Sequence, residues 1–177
     1  MLLIAEVKTA SPFGFRSTRT WSELFSIAEK HGDWVAIHTD PRWGGSFELL
    51  ATARKLTDKP ILAKGVHASD EDIDRAIECG ANWVLAVGRV PSVHAGKCII
   101  EPNTLDDLRR LPAHARVVWN GRDLKTGGRR PETFWQARQA FDGWLCKASF
   151  IHTLKDVDHN ADAILVGEKL PEFTARF

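Results

Sequence analysis

Eight short runs of strand-forming residues recur along the chain, and few folds can absorb them. They occupy residues 2–7, 34–38, 60–63, 83–87, 98–100, 116–119, 144–146 and 163–166. Several are nearly unbroken apolar stretches rather than polar–apolar alternations. Strands of that kind are buried on both faces, as in a parallel sheet covered by helices. A purely antiparallel arrangement fits the pattern poorly.

Helical patterns lie between many of these runs. In 20–31, Trp21, Leu24, Phe25 and Ala28 fall on one face. In 46–56, Ser46 follows Gly44-Gly45 and suits an N-cap. The stretch 69–79 opens Ser-Asp-Glu-Asp and is followed by Gly80, which fits a helix start and a C-terminal stop. A fourth helix is expected over 131–141, with Pro131 in its first turn. Strand and helix in alternation predict an α/β fold with right-handed crossovers.

The spacing sharpens this. A parallel connection needs roughly ten residues or more. Between the fourth and fifth runs only residues 88–97 are free, and they contain Pro91 and Gly96. The connections after the fifth and seventh runs are also short. The expected fold is therefore a shortened (β/α)8 TIM barrel with reduced helices after strands 4, 5 and 7. Barrels of this class usually run about 250 residues, whereas this chain has 177. The competing fold is an open doubly wound sheet. One domain over 1–177 is expected.

Composition narrows the function. Apolar residues make up 44% and charged residues 27%, which supports a real core and excludes whole-chain disorder. Lys and Arg number 24 against 23 Asp and Glu, a net of +1. That balance offers no electrostatic footprint for nucleic acid or a membrane surface, so neither partner is expected. The three cysteines form no C-x-x-C pair, and the five apolar residues before Glu6 are too few for a signal peptide or a span. A cytoplasmic location is expected. The seven His show no H-E-x-x-H spacing, and no G-x-G-x-x-G, Walker or G-x-S-x-G sequence occurs. No metal or cofactor is expected.

In a barrel, chemistry sits at the C-terminal ends of the strands. There the sequence places Glu6, Lys8 and Ser11 after strand 1, Lys64 after strand 3, and Glu101 and Asn103 after strand 5. Asn120 and Arg122 follow strand 6, Ser149 follows strand 7, and Gly167 and Glu168 follow strand 8. Two Lys and two Glu at one mouth suit acid–base work, because burial and neighbours can shift the pKa values of such groups toward neutrality. Each residue alone has a plainer reading. A strand-end Lys is ordinarily solvated, Glu6 pairs structurally with a lysine, Glu101 starts a helix, and Asn120 and Arg122 shape a loop.

The motifs carry more together. Ile4-Ala-Glu-Val-Lys-Thr-Ala-Ser-Pro12 and Thr39-Asp-Pro-Arg-Trp-Gly-Gly-Ser46 resemble the first two strand loops of the indole-3-glycerol phosphate synthase family. Pro60-Ile-Leu-Ala-Lys64, Ile99-Ile-Glu101 and Asn120-Gly-Arg-Asp-Leu-Lys-Thr126 resemble its third, fifth and sixth strands. Ala148-Ser-Phe-Ile-His-Thr153 and Ala161-Asp-Ala-Ile-Leu-Val-Gly-Glu168 resemble its seventh and eighth. The order is kept over nearly the whole chain.

The resemblance implies a barrel lyase of tryptophan biosynthesis. Its reaction closes an indole ring on 1-(2-carboxyphenylamino)-1-deoxyribulose 5-phosphate, with loss of CO₂ and water and no cofactor. It implies Lys64 as proton donor to the ribulose carbonyl and Glu101 as the acid–base group that expels the hydroxyl. Lys8 would hold the substrate carboxylate or act at dehydration, and Glu6 would orient the lysines. Asn120 and Arg122 would position the anthranilate end, and Ser149, Gly167 and Ser11 would line the anionic side.

The sequence also departs from the family. Strand 1 is expected without the family's N-terminal helical extension. Ala148-Ser149-Phe150 replaces Glu-Ser-Gly, and Gly65-Val66 replaces Asp-Phe after the lysine. Phe150 is expected to crowd a backbone phosphate nest. A non-catalytic barrel that binds a phosphorylated metabolite or a protein is the alternative reading, along with a related lyase of altered substrate. An apolar mouth covered by a second copy or a partner subunit is a further expectation. The neighbouring barrel isomerase of the pathway fits poorly, since strand 1 lacks its catalytic Cys.

Overall fold

The computed structural model describes residues 1–175. Eight parallel strands close into a barrel in sequence order, β1 to β8, with β8 pairing back onto β1. They are β1 (Leu2–Val7), β2 (Trp34–His38), β3 (Ile61–Lys64), β4 (Trp83–Val87), β5 (Cys98–Glu101), β6 (Arg116–Asn120), β7 (Trp144–Ala148) and β8 (Ala163–Val166). The expected runs shift by at most two residues. Closure rules out the open doubly wound sheet.

Among the described residues there are six α-helices, five in the connections and one after β8. They are α1 (Trp21–His31), α2 (Phe47–Leu56), α3 (Asp70–Glu78), α4 (Leu105–Arg109), α5 (Phe134–Ala140) and α6 (Leu170–Thr174). Thr20 and Glu23 cap α1 reciprocally, Ser46 caps α2, and Ser69 and Asp72 cap α3. Gly80, at φ +98°, takes the left-handed position that ends α3. The expected start of the fourth long helix at Pro131 is corrected. Thr133 is the N-cap of α5 and Gln136 completes its capping box, so the helix opens at Phe134.

The reduced connections fall where the spacing places them. After β4 there is one 3₁₀ turn, Ala95–Lys97. After β5, α4 has 5 residues. After β7 there is one 3₁₀ turn, Leu154–Asp156.

Two cores follow from the period-2 alternation of strand residues. Ala5, Val7, Val35, Ile37, Ile61 and Ala63 face outward and pack with Leu24, Phe25 and Ala28 of α1 and Leu50 of α2. Ile4, Ala36, Leu62, Leu85, Ile99, Val118, Cys146 and Leu165 face inward and fill the barrel. Its floor is aromatic. Trp34 stacks on Trp83 at 5.5 Å and on Trp144 at 6.0 Å between ring centroids. The Arg116 guanidinium lies 4.5 Å from the Trp83 ring centroid. All four residues open their strands.

No helix among the described residues is long and apolar enough to cross a membrane.

Candidate active site

The inward face of the barrel changes character along its length. Two residues beyond inward Ile4 stands Glu6, then Lys8. Two beyond Ala36 stands His38, and two beyond Leu62 stands Lys64. Two beyond Ile99 stands Glu101, and two beyond Val118 stands Asn120. The same alternation that buries the apolar residues therefore aims these polar groups into the mouth. His38 pairs with Lys64 in register across β2 and β3, which brings their side chains together.

Glu6 is the hub of one half. Its Oε1 accepts from Lys64 Nζ at 2.7 Å and from His38 Nε2. Burial alone would push the Glu6 carboxyl up, but Lys64, His38 and Lys8 outweigh it and hold the group well below the ordinary carboxylate range. Burial pushes His38 down against the pull of Glu6. Ionised Glu6 can only accept, so neutral His38 carries its hydrogen on Nε2. Its Nδ1 is buried with no hydrogen-bond partner among the described residues. Burial also lowers Lys8, with Glu6 opposing and the Lys64 charge reinforcing the fall.

Asn120 is the hub of the other half. Its Nδ2 donates to Glu101 Oε1 at 2.9 Å, and its Oδ1 accepts from Ser149 Oγ at 2.7 Å and Arg122 N–H at 3.0 Å. Those partners fix which way the amide points. Burial pushes the Glu101 carboxyl up, opposed by Lys64 and by the Asn120 hydrogen bond. The mouth thus carries one carboxylate held ionised and one biased toward its protonated form, a pairing that suits acid–base chemistry.

These shifts predict a pH signature. Glu6 has a lowered folded pKa, so its contribution to stability is full above the unfolded value, about 4.3, and is lost as pH falls through the folded value. Glu101 has a raised folded pKa, so its contribution is full below the unfolded value and is lost as pH rises through the folded value. Glu101→Gln should therefore gain in melting temperature over the wild type as pH is raised from about 4 to about 8. A difference that stays constant over that range, measured by circular dichroism, would show that Glu101 does not titrate as its burial implies.

Eight of the nine residues that the resemblance gives a role meet at the rim. Lys8, Lys64, Glu101, Asn120, Arg122 and Ser149 line one cavity of about 40 Å³. Glu6 and Gly167 line an adjoining one of similar size. Gly167 has no room for a side chain, since a Cβ there would run into the Glu6 carboxylate. Ser11 stands apart from them. Its Oγ accepts from Phe13 N–H at 3.2 Å and Phe15 N–H at 3.4 Å, folding the loop after β1.

Phe150 has a strained backbone and two cationic neighbours. Ser149 (φ +68°) and Phe150 (φ +55°) are consecutive non-glycine residues in the left-handed region, which is costly for each. The Phe150 ring seats the Arg122 guanidinium at 4.8 Å and that of Arg129 at 4.1 Å.

Two residues of the site escaped the sequence reading. His38 looked like the end of an apolar strand, although its parity with Ala36 marks it as inward. Glu168 reads in the sequence only as a strand-end acid. It accepts from Lys8 Nζ at 2.7 Å and Arg122 NH2 at 3.1 Å. No group of three or more His, Cys, Asp or Glu among the described residues is placed to hold a metal ion.

No family model matches the chain. Curated proteins do. The chain is 28% identical over 194 aligned positions to the indole-3-glycerol phosphate synthase of Staphylococcus aureus, covering 96% of this chain and 74% of that protein. It is 31% identical over 90 positions to the enzyme of that name from Sulfurisphaera tokodaii, covering 50% of this chain and 37% of the relative. It is 36% identical over 92 positions to that of Thermococcus kodakarensis, covering 50% and 40%. The resemblance carried by the motifs thus extends along nearly the whole chain.

Proposed function

We propose that this chain is an indole-3-glycerol phosphate synthase-like lyase. The observation that carries the reading is the meeting of Lys64, Glu101, Lys8, Asn120 and Arg122 in one cavity at the C-terminal end of the barrel. The similarity to enzymes of that name supports it independently.

On this reading the substrate is the carboxyphenylamino-deoxyribulose phosphate. Its ring carbon, bearing the carboxylate, attacks the ribulose C2 carbonyl, and a new C–C bond forms. The Lys64 ammonium gives its proton to the carbonyl oxygen. Glu6, ion-paired to Lys64 Nζ at 2.7 Å, keeps that ammonium aimed inward. The carboxylate departs as CO₂, and its bonding electrons restore the aromatic ring. The new hydroxyl then leaves as water, with a proton lost from C1 to complete the indole.

Glu101 suits this last step. Burial favours its protonated form, which can protonate the departing hydroxyl. Lys8, with its lowered pKa, is the second candidate acid there. Asn120 orients Glu101 and Ser149 together, while Arg122 supplies charge at the rim. The substrate's phosphate would meet the side formed by Ser149 and Gly167.

The test is a steady-state assay of the purified chain with that substrate. Product is identified by chromatography, because seven Trp interfere with indole fluorescence. Formation of indole-3-glycerol phosphate and CO₂ is the expected result. A folded chain that binds the substrate without converting it would instead favour the non-catalytic reading.

A further inference from the structure

An internal bridge crosses the barrel mouth. Lys8 rises from β1, Arg122 follows β6 and Glu168 follows β8, so one carboxylate ties three sectors of the rim. The Lys8 side chain is 7% exposed, that of Arg122 16% and that of Glu168 24%. The bridge is thus shielded on its cationic side and open on its acidic side.

The bridge also divides the site. The cavities beside it hold about 40 Å³ each, and Lys8, Lys64, Arg122 and Ser149 line both. Glu101 and Asn120 belong to one, Glu6 and Gly167 to the other. Such volumes suit a few waters, whereas small-molecule sites usually exceed about 300 Å³. A substrate that must reach from Glu101 to the Gly167 side needs the two joined. Glu168 has somewhere to go. It also lines an outer cleft of about 450 Å³, whose walls include Arg16, Arg19 and Lys169. The carboxylate can leave one pair of cations and meet others.

We propose that Glu168 is a displaceable internal counter-anion and the specificity-determining residue of the mouth. It occupies Lys8 and Arg122 until an anionic group of the ligand, a carboxylate or phosphate, takes its place. Its side chain then swings into the outer cleft and the two cavities merge. The inference rests on the mouth being the substrate site. Closed and open states exchange one anion for another, so a ligand without a suitably placed anion has nothing to offer the two cations and enters poorly. Glu168 in turn weakens every anion that does enter, because its own carboxylate competes.

The test is titration calorimetry with inorganic phosphate on the wild type, Glu168→Gln and Glu168→Asp. The Gln variant leaves Lys8 and Arg122 without an internal anion and should bind phosphate about tenfold more tightly. The Asp variant, one methylene shorter, should fall between. Adding Arg122→Gln to Glu168→Gln should erase the gain. Equal or weaker binding in Glu168→Gln, or a gain that survives loss of Arg122, overturns the proposal. A gain without turnover of the sugar phosphate in any form would uphold the counter-anion and sink the lyase reading. Turnover with phosphate affinity and KM unmoved by Glu168→Gln would do the reverse.

Discussion

Lys64→Ala should lower turnover of the carboxyphenylamino-deoxyribulose phosphate about a thousandfold, the middle of the range for a positioned acid or base. The loss has two sources. The proton donor is gone, and Glu6 keeps only the hydrogen bond from neutral His38 and the charge of the more distant Lys8. Lys64→Arg separates them. Arg retains the charge beside Glu6, but its guanidinium does not release a proton at any working pH. If Lys64 acts as an acid, Arg should fold like the wild type and remain nearly as inactive as Ala. If it acts only as a charge, Arg should recover most of the rate. Glu101→Gln should likewise lose about a thousandfold. Gln still offers an oxygen to Asn120 Nδ2, which holds the local geometry. The measurements are kcat and KM by product chromatography, with melting temperature alongside. Activity within tenfold of wild type in both Lys64→Arg and Glu101→Gln would remove both residues from the chemistry.

The second large effect is on stability. Trp34→Ala should cost about 4 kcal/mol, since it empties the centre of the barrel floor. Trp34 is 9% exposed and stacks between Trp83 and Trp144, so both neighbours lose a ring face. For a chain of this size the melting temperature should fall by roughly 8 to 16 °C. Trp83→Ala and Trp144→Ala should cost less, because both side chains are already partly exposed. Trp34→Phe keeps an aromatic face and should recover more than half the loss. A Trp34→Ala melting temperature within about 3 °C of wild type would show that the floor collapses around the gap.

Much of this was legible in the chain. The near-continuous apolar runs gave the number of strands and their parallel packing. Pro91 and Gly96 within so short a connection announced the missing helix after β4. Glu6, Lys8, Lys64 and Glu101 stood out because charges at the ends of apolar strands demand an explanation. What escaped needed information that no single strand contains. The aromatic floor emerges only when the register sets the first residues of β2, β4, β6 and β7 at one level. His38 hid behind its apolar neighbours, and its role depends on a cross-strand partner in β1. The reach of Glu168 to two cations from distant strands is a property of closure. The start of α5 was readable. Thr133-Phe-Trp-Gln136 is a capping box, and it outweighs Pro131.

The unequal helices have a mechanical consequence. Behind β1, β2 and β3 stand α1, α2 and α3, with 11, 10 and 9 residues. Behind β4 and β7 stand single 3₁₀ turns, and behind β5 a helix of 5 residues. The barrel is thus braced on one side and thin on the other. The braced side carries the tight cluster of Glu6, His38 and Lys64. The thin side carries Glu101 and Ser149. Thinly backed strands open locally at lower cost. Compliance is therefore placed beside Glu101 and Ser149, and stiffness where Glu6, His38 and Lys64 hold their spacing.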